Sequence, residues 1–231
     1  MSSLFKRIMS KREEPGVELI VFDFDGTLVD SRELLLRIVR RHLLAFEVSL
    51  TKDLLRFFGN TPLDHYLSLT GLPREMVISV AQGINADFVK EHNRIKPCKN
   101  FVNIKDLMVR KVIVSNNDTS FIEKSLNFLG ADYFEGVYGA DCFLPHDKVW
   151  MIEKLRKKYG LDAQEIIYVG DKDIDVDVAR NIGCFSAIIT GKAAWSPRKS
   201  IIKKKPDYIL RDLSQLAGVL REINMEELAA V

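Results

Sequence analysis

"VELIVFDFDGTLVDS" (17–31) drives an apolar run straight into two aspartates, Asp23 and Asp25, with Gly26 directly behind them and a third acid, Asp30, close by. Two carboxylates that close repel one another, so a raised pKa, a bound cation or intervening water has to separate them. The run is continuously apolar rather than alternating, which fits a strand covered on both faces, as in a parallel sheet. Similar runs recur at "KVIVS" (111–115), "GVYGA" (136–140), "EIIYVG" (165–170), "FSAIIT" (185–190) and "DYIL" (207–210).

Helical patterns lie between these runs. In "TSFIEKSLNFLG" the spacing predicts a stripe of Ile122, Leu126 and Leu129, stopped by Gly130. In "KVWMIEKLRKKYG" it is Val149, Ile152, Leu155 and Tyr159 before Gly160, and in "DIDVDVARNIG" it is Ile174, Val178 and Ile182 before Gly183. Helices that end at glycine shortly before a strand mark a βαβ series. The predicted fold is therefore α/β, a doubly wound, Rossmann-like parallel sheet.

One interval is too long for this pattern. About 86 residues separate the first strand from "KVIVS", where one crossover helix needs on the order of a dozen or two. The excess reads as helical: "RELLLRIVRRHLLAF" carries Leu35, Val39, Leu43 and Phe46 on one face, and Thr51 and Thr61 are placed as N-caps. The expected layout is a tail at 1–16, an α/β core from 17–31 and 98–231, and a helical cap at 32–97. The charged run "KSIIKKKPD" (199–207) reads as a solvated loop.

With 231 residues, 47% hydrophobic and 29% charged, the composition is that of an ordinary globular protein. A net charge of +2 does not suggest a nucleic-acid or membrane partner. Cys98, Cys142 and Cys184 are far apart and form no CxxC pair, which points to free thiols. No stretch resembles a secretion signal or a membrane span, so the expected location is cytoplasmic.

In open parallel sheets, ligands sit at the carboxyl ends of the strands. The predicted strands bring Asp23 and Asp25 there, with Ser115, Asn116, Asn117 and Asp118 from the second run and Asp171, Asp173 and Asp175 from "YVGDKDIDVD". Lys148 precedes the helix leading to that last strand. Such a cluster of hard oxygens calls for a cation, and Mg2+ suits one or two carboxylates plus phosphate oxygens. A calcium hand does not fit, because "DKDIDVDVARN" lacks the glycine at loop position six and the closing glutamate. An aspartate is a competent nucleophile toward phosphorus, and a neighbouring carboxyl can manage the protons.

The motifs "DFDGTLVDS", "VIVSNN", the lysine of "HDKVWMIEKL" and "YVGDKDIDVDVARNIG", in that order, resemble a haloacid-dehalogenase (HAD) superfamily phosphohydrolase with a helical cap of the C1 type, in the phosphoglycolate phosphatase-like branch. The resemblance spans about residues 17 to 215, ending with "KKPDYILRDLSQL". It implies that Asp23 is the nucleophile and a metal ligand, and that Asp25 is the general acid/base with its backbone carbonyl on the metal. Asp171 would bind Mg2+ and Asp175 would support the metal or orient Lys148. Gly26, Thr27, Ser115, Asn116 and Lys148 would hold or neutralise the phosphate. In the cap, Arg56, Gly59 and Asn60 are the candidates for substrate specificity, while His42 and His65 read as surface or packing residues. The presence of Asp25 favours phosphate chemistry, since dehalogenase members lack that second aspartate.

The implied function is a Mg2+-dependent phosphatase acting on a small phosphorylated metabolite, as a monomer or homodimer. The alternatives are a phosphomutase of the β-phosphoglucomutase type and a catalytically idle binding module. Two positions depart from the family pattern: Lys148 is followed by Val149 rather than proline, and Lys172 stands where serine or threonine is common.

Overall fold

The computed structural model describes residues 16–59, 61–142 and 147–229. The expected tail, apart from Gly16, and Asn60 lie outside the described residues. The chain forms β1 (Leu19–Phe22) and β2 (Val29–Asp30), then helices α1 (Arg32–Leu44), α2 (Lys52–Phe57), α3 (Leu63–Ser68) and α4 (Arg74–Lys90), then β3 (Lys96–Pro97) and β4 (Arg110–Val114). It continues through α5 (Thr119–Phe128), β5 (Gly136–Tyr138), α6 (Lys148–Tyr159), β6 (Ile166–Gly170), α7 (Asp173–Ile182), β7 (Phe185–Ile189), α8 (Arg198–Lys204), β8 (Tyr208–Leu210) and α9 (Leu216–Ala229).

Six strands form one sheet in the order β5-β4-β1-β6-β7-β8, and every pairing is parallel. The chain runs outward from β1 through β4 and β5, then returns to β6 on the other side of β1. Neighbouring connections thus diverge at the carboxyl end of β1, leaving a crevice there. This is the doubly wound α/β fold expected from the sequence.

The sheet is covered on both faces because alternate side chains of its central strands are apolar both ways. Ile20 and Phe22 of β1 join Ile113, Ile167 and Val169 against α5 and α9, represented by Phe121, Ile122, Leu216 and Ile223. Leu19 and Val21 point the other way, with Val112, Val114 and Tyr168, against Met151, Ile152 and Leu155 of α6 and Ala179 of α7. Each fully buried aliphatic or aromatic side chain contributes on the order of 1.5–3 kcal/mol. No helix among the described residues is long and apolar enough to cross a membrane.

Among the described residues, only helices and turns lie between β2 and β3, and these two short strands pair antiparallel where the chain leaves the sheet and returns to it. Helices α1 and α4 pack together through Ile38, Leu43, Val80 and Ile84, with Arg41 and His42 both bonded to Asp87 at their edge. Phe88 of α4 stacks on Phe121 of α5 at 4.0 Å, which ties the helices to the sheet layer.

Several local expectations are corrected. In α1 the buried face is Leu34, Ile38, Val39 and Leu43 rather than the stripe begun at Leu35, which is only partly buried. The N-cap position of α3 is Pro62, not Thr61, whose hydroxyl donates instead to the Phe57 carbonyl. In α5 Leu129 lies past the helix, and Phe121 and Ser125 are buried in addition to Ile122 and Leu126. Ile174 is 60% exposed: the inward face of α7 begins with Asp175, so the apolar stripe is Val176, Ala179 and Ile182. The basic run is not a loop, because Ile201 inserts against Val176 and Ile188 and so orders α8.

Candidate active site

Asp23 directly follows β1, and its backbone N–H donates to the Val169 carbonyl at 2.8 Å, which continues the strand pairing past the last sheet residue. That bond fixes the side chain beside the end of β6. Asp171 follows β6, and Asp175 comes from the first turn of α7. All three are buried, and one oxygen from each lies within 4.8 Å of the others.

Lys148, the first residue of α6, reaches this group as well. Its Nζ is 2.9 Å from Asp23 Oδ2, 3.5 Å from Asp175 Oδ1, and donates to the Tyr168 hydroxyl at 2.9 Å. Tyr168 in turn donates to Asp175 Oδ1 at 3.0 Å. The other Asp175 oxygen accepts the backbone N–H groups of Asp171 at 3.0 Å and Lys172 at 2.8 Å. Asp175 therefore ties the start of α7, the strand-end loop and the lysine together.

Burial pushes Asp171 well above the usual carboxylate range, and the charges of Asp175 and Asp23 push the same way. Burial alone would lower Lys148, but Asp23 and then Asp175 outweigh it and hold the ammonium above its ordinary value. Tyr168 is raised well above its usual range by burial and by the neighbouring carboxylates, so its hydroxyl stays a donor. Three close carboxylates answered by one lysine leave excess negative charge, and hard oxygen donors in that number suit a divalent cation.

Asp25 sits apart from that trio. Its Oδ2 accepts from the Asn117 amide at 2.9 Å, while Oδ1 is shielded from solvent and has no hydrogen-bond partner among the described residues. Its pKa is raised, chiefly by burial, with the nearby Ser31 hydroxyl and the Asn117 side-chain amide opposing and the Asp23 charge adding. Burial thus favours the protonated carboxyl, the form a general acid needs.

Gly26 has φ +80, and a Cβ there would collide with Asp171 and with Trp195. Its amide donates to the Val29 carbonyl at 2.8 Å, so the turn itself uses that N–H. Thr27 is fully buried and its hydroxyl donates to Asp171 Oδ1 at 3.3 Å. Ser115 is buried just beyond β4, where its Oγ accepts the backbone N–H of Asn117 at 3.3 Å, while Asn116 is exposed. The structure thus brings Asp23, Asp25, Gly26, Thr27, Ser115, Lys148, Asp171 and Asp175 to one end of the sheet.

The residues singled out between β2 and β3 divide differently. Gly59, also at φ +80, packs so tightly under the Trp195 ring that a Cβ would overlap it. Arg56 is exposed and pairs with Asp53 on its own helix at 3.2 Å. His42 bonds Asp87 between α1 and α4, and His65 is exposed.

Two further residues contribute. Tyr168 reads in sequence as one more apolar strand residue, yet strand alternation puts it on the face toward Lys148. The Trp195 backbone N–H donates to Asp171 Oδ2 at 2.6 Å, a main-chain role that no side-chain pattern signals.

Residues 20–189 match the family described as haloacid dehalogenase-like hydrolase. A phosphoglycolate phosphatase of Synechococcus elongatus is 25% identical over 226 residues, covering 90% of this chain and 99% of its own. A Caldanaerobacter subterraneus protein provisionally named pyrophosphatase PpaX is 23% identical over 225 residues, covering 91% and 98%. Among solved structures, a haloacid dehalogenase-like family hydrolase of Streptococcus pneumoniae superposes with TM-score 0.76 at 20% identity, covering 88% of this chain and 98% of that one. A predicted phosphoglycolate phosphatase of Haemophilus somnus superposes with TM-score 0.77 at 21% identity, covering 88% and 97%. These structural likenesses bear on the fold.

Proposed function

The chain belongs to the haloacid dehalogenase-like hydrolase family, and on that premise we propose that it is a phosphatase that hydrolyses a small phosphorylated metabolite through an aspartyl-phosphate at Asp23, with Mg2+ as cofactor. The supporting observation is the pairing of Asp23 with Lys148 at 2.9 Å, beside Asp171 and Asp175, in the crevice at the end of β1.

In the first step an oxygen of the Asp23 carboxylate attacks phosphorus and the bond to the leaving oxygen breaks. Asp25, whose pKa burial raises, gives a proton to that oxygen. In the second step water attacks the phosphorus of the acyl phosphate, Asp25 takes the proton, and the Asp23 carboxylate is restored. Lys148 offsets negative charge on Asp23 and on the transferring group throughout. Ser115 and the amide of Asn116 hold phosphate oxygens at the end of β4.

Asp23, Asp171 and the backbone carbonyl of Asp25 would hold Mg2+. When bound, the ion reduces repulsion between these carboxylates and an incoming phosphate dianion. Asp175 already accepts two backbone N–H groups and the Tyr168 hydroxyl, so its main task is to position Lys148 and the Asp171 loop. Thr27 and the Trp195 amide orient the Asp171 carboxylate. Phosphate monoester hydrolysis needs accelerations up to ~10²¹-fold, and dividing it into two in-line displacements under preorganised charge supplies a large share.

Helices α1–α4, within 32–97, act as a cap over the crevice. They exclude water other than the one Asp25 activates, with Gly59 seated against Trp195 beside the site. The curated relatives named as phosphoglycolate phosphatase make 2-phosphoglycolate the first substrate to try. A phosphomonoester panel with Mg2+ tests the reading: phosphate release that stops with EDTA and with Asp23→Asn supports it, and no release from any ester refutes it.

A further inference from the structure

Trp195 lies in the loop after β7, between the catalytic loop and the turn that follows α2. Its Cδ1 edge faces Gly26, and its six-membered ring covers Gly59. Phe58 stacks on it at 5.7 Å and 25°. The indole is 7% exposed, and its Nε1 has no hydrogen-bond partner among the described residues. A buried N–H without an acceptor is costly unless something arrives to accept from it.

Lys172 stands over the same ring, with Nζ 5.1 Å from the ring centroid, and donates to the Gly59 carbonyl at 3.0 Å. An ammonium has three hydrogens to donate, and this one has a single hydrogen-bond acceptor and no carboxylate within ion-pair distance among the described residues. Lys172 directly follows Asp171, whose Oδ2 accepts the Trp195 backbone N–H at 2.6 Å. A cation with spare donors and an orphaned indole N–H thus meet at one aromatic plate, beside the carboxylates assigned to phosphate transfer.

We propose that Lys172 Nζ and Trp195 Nε1 form a second-anion subsite that selects phosphoesters bearing a further negative group, a carboxylate or a second phosphate, a short reach from the ester. The inference rests on the phosphatase reading and names its substrate class. Gly59 is part of the device: with no side chain it lets the indole pack against the turn, and its carbonyl parks the ammonium until the anion takes over. A phosphoester whose alcohol part carries no charge leaves the indole N–H unpartnered and gains nothing from the ammonium.

The test compares 2-phosphoglycolate and pyrophosphate with ethyl phosphate, using the full chain with Mg2+. Lys172→Met is expected to lower kcat/KM for the doubly anionic substrates about 10- to 100-fold more than for ethyl phosphate, mostly through KM, with Lys172→Arg recovering much of it. Trp195→Phe keeps the stacking and removes only the N–H, and should cost selectivity a few-fold, about 3- to 10-fold. The carboxylate and phosphate arms show which second group the subsite takes. Equal losses on all substrates overturn the subsite while leaving the phosphatase reading intact. Should nothing be hydrolysed, the binding arm still decides. In Trp150→Phe protein, Trp195 is the only remaining tryptophan, and its fluorescence is titrated with each compound. A response to the doubly anionic compounds that Lys172→Met abolishes supports the subsite, and equal responses to all three reject it.

Discussion

Replacing Tyr168 by phenylalanine removes one oxygen from the most heavily bonded part of the site and leaves its shape alone. That oxygen accepts from Lys148 at 2.9 Å and donates to Asp175 at 3.0 Å, and both partners are buried. Each loses one partner without access to water, at about 1–3 kcal/mol apiece. Lys148 keeps Asp23, and Asp175 keeps the two backbone donors, so relaxation trims the sum to about 3 kcal/mol. For a chain of this length that lowers the melting temperature by roughly 6–12 °C. Urea unfolding in metal-free buffer should show the lower midpoint at unchanged m-value, since the exposed surface is unaltered. Phosphate release should fall about tenfold, because Lys148 is then aimed by carboxylates alone. A stability loss under about 0.5 kcal/mol would show that the hydroxyl bridges nothing, and the reasoning about how Lys148 is held would fail.

Two further outcomes follow from the charges. Asp171→Asn removes one of three converging like charges, so in EDTA the variant should be as stable as the parent or more so. With Mg2+ at about 100 times its dissociation constant the parent should gain about 2.7 kcal/mol while the variant gains far less, which a thermal melt with and without metal reads directly. Asp212 is held well below the usual carboxylate range by the Ser214 hydroxyl, then by the Asn100 amide and Lys99. A depressed folded-state pKa stabilises above the unfolded value of about 3.9 and is lost as pH falls through the folded value. Asp212→Ala should therefore cost about 1–2 kcal/mol at pH 7, and chemical denaturation should show the gap narrowing only below about pH 4.

The sheet was legible in the sequence because its strands are buried on both faces, so unbroken apolar runs such as "EIIYVG" mark them within a residue or two. The strand-end acids were legible for a related reason: charged residues that interrupt such runs must sit where the sheet stops. Helix faces were read less well. In α7 the inward position went to Asp175, whose bonds to two backbone N–H groups and Tyr168 outweigh burial of the adjacent Ile174. Helix α8 escaped notice because a single residue, Ile201, anchors it amid lysines. The plate formed by Phe58, Gly59, Trp195 and Lys172 joins positions more than a hundred residues apart. Local periodicity carries no record of such contacts.

The role of Asp23 is tested most directly by trapping. Protein turning over 2-phosphoglycolate with Mg2+ is quenched in acid and reduced with borohydride, which converts an acyl phosphate to the alcohol. Peptide mass analysis should then find homoserine at position 23 and at no other aspartate. Homoserine elsewhere, or an unmodified Asp23 in protein that releases phosphate steadily, would contradict covalent catalysis by this residue.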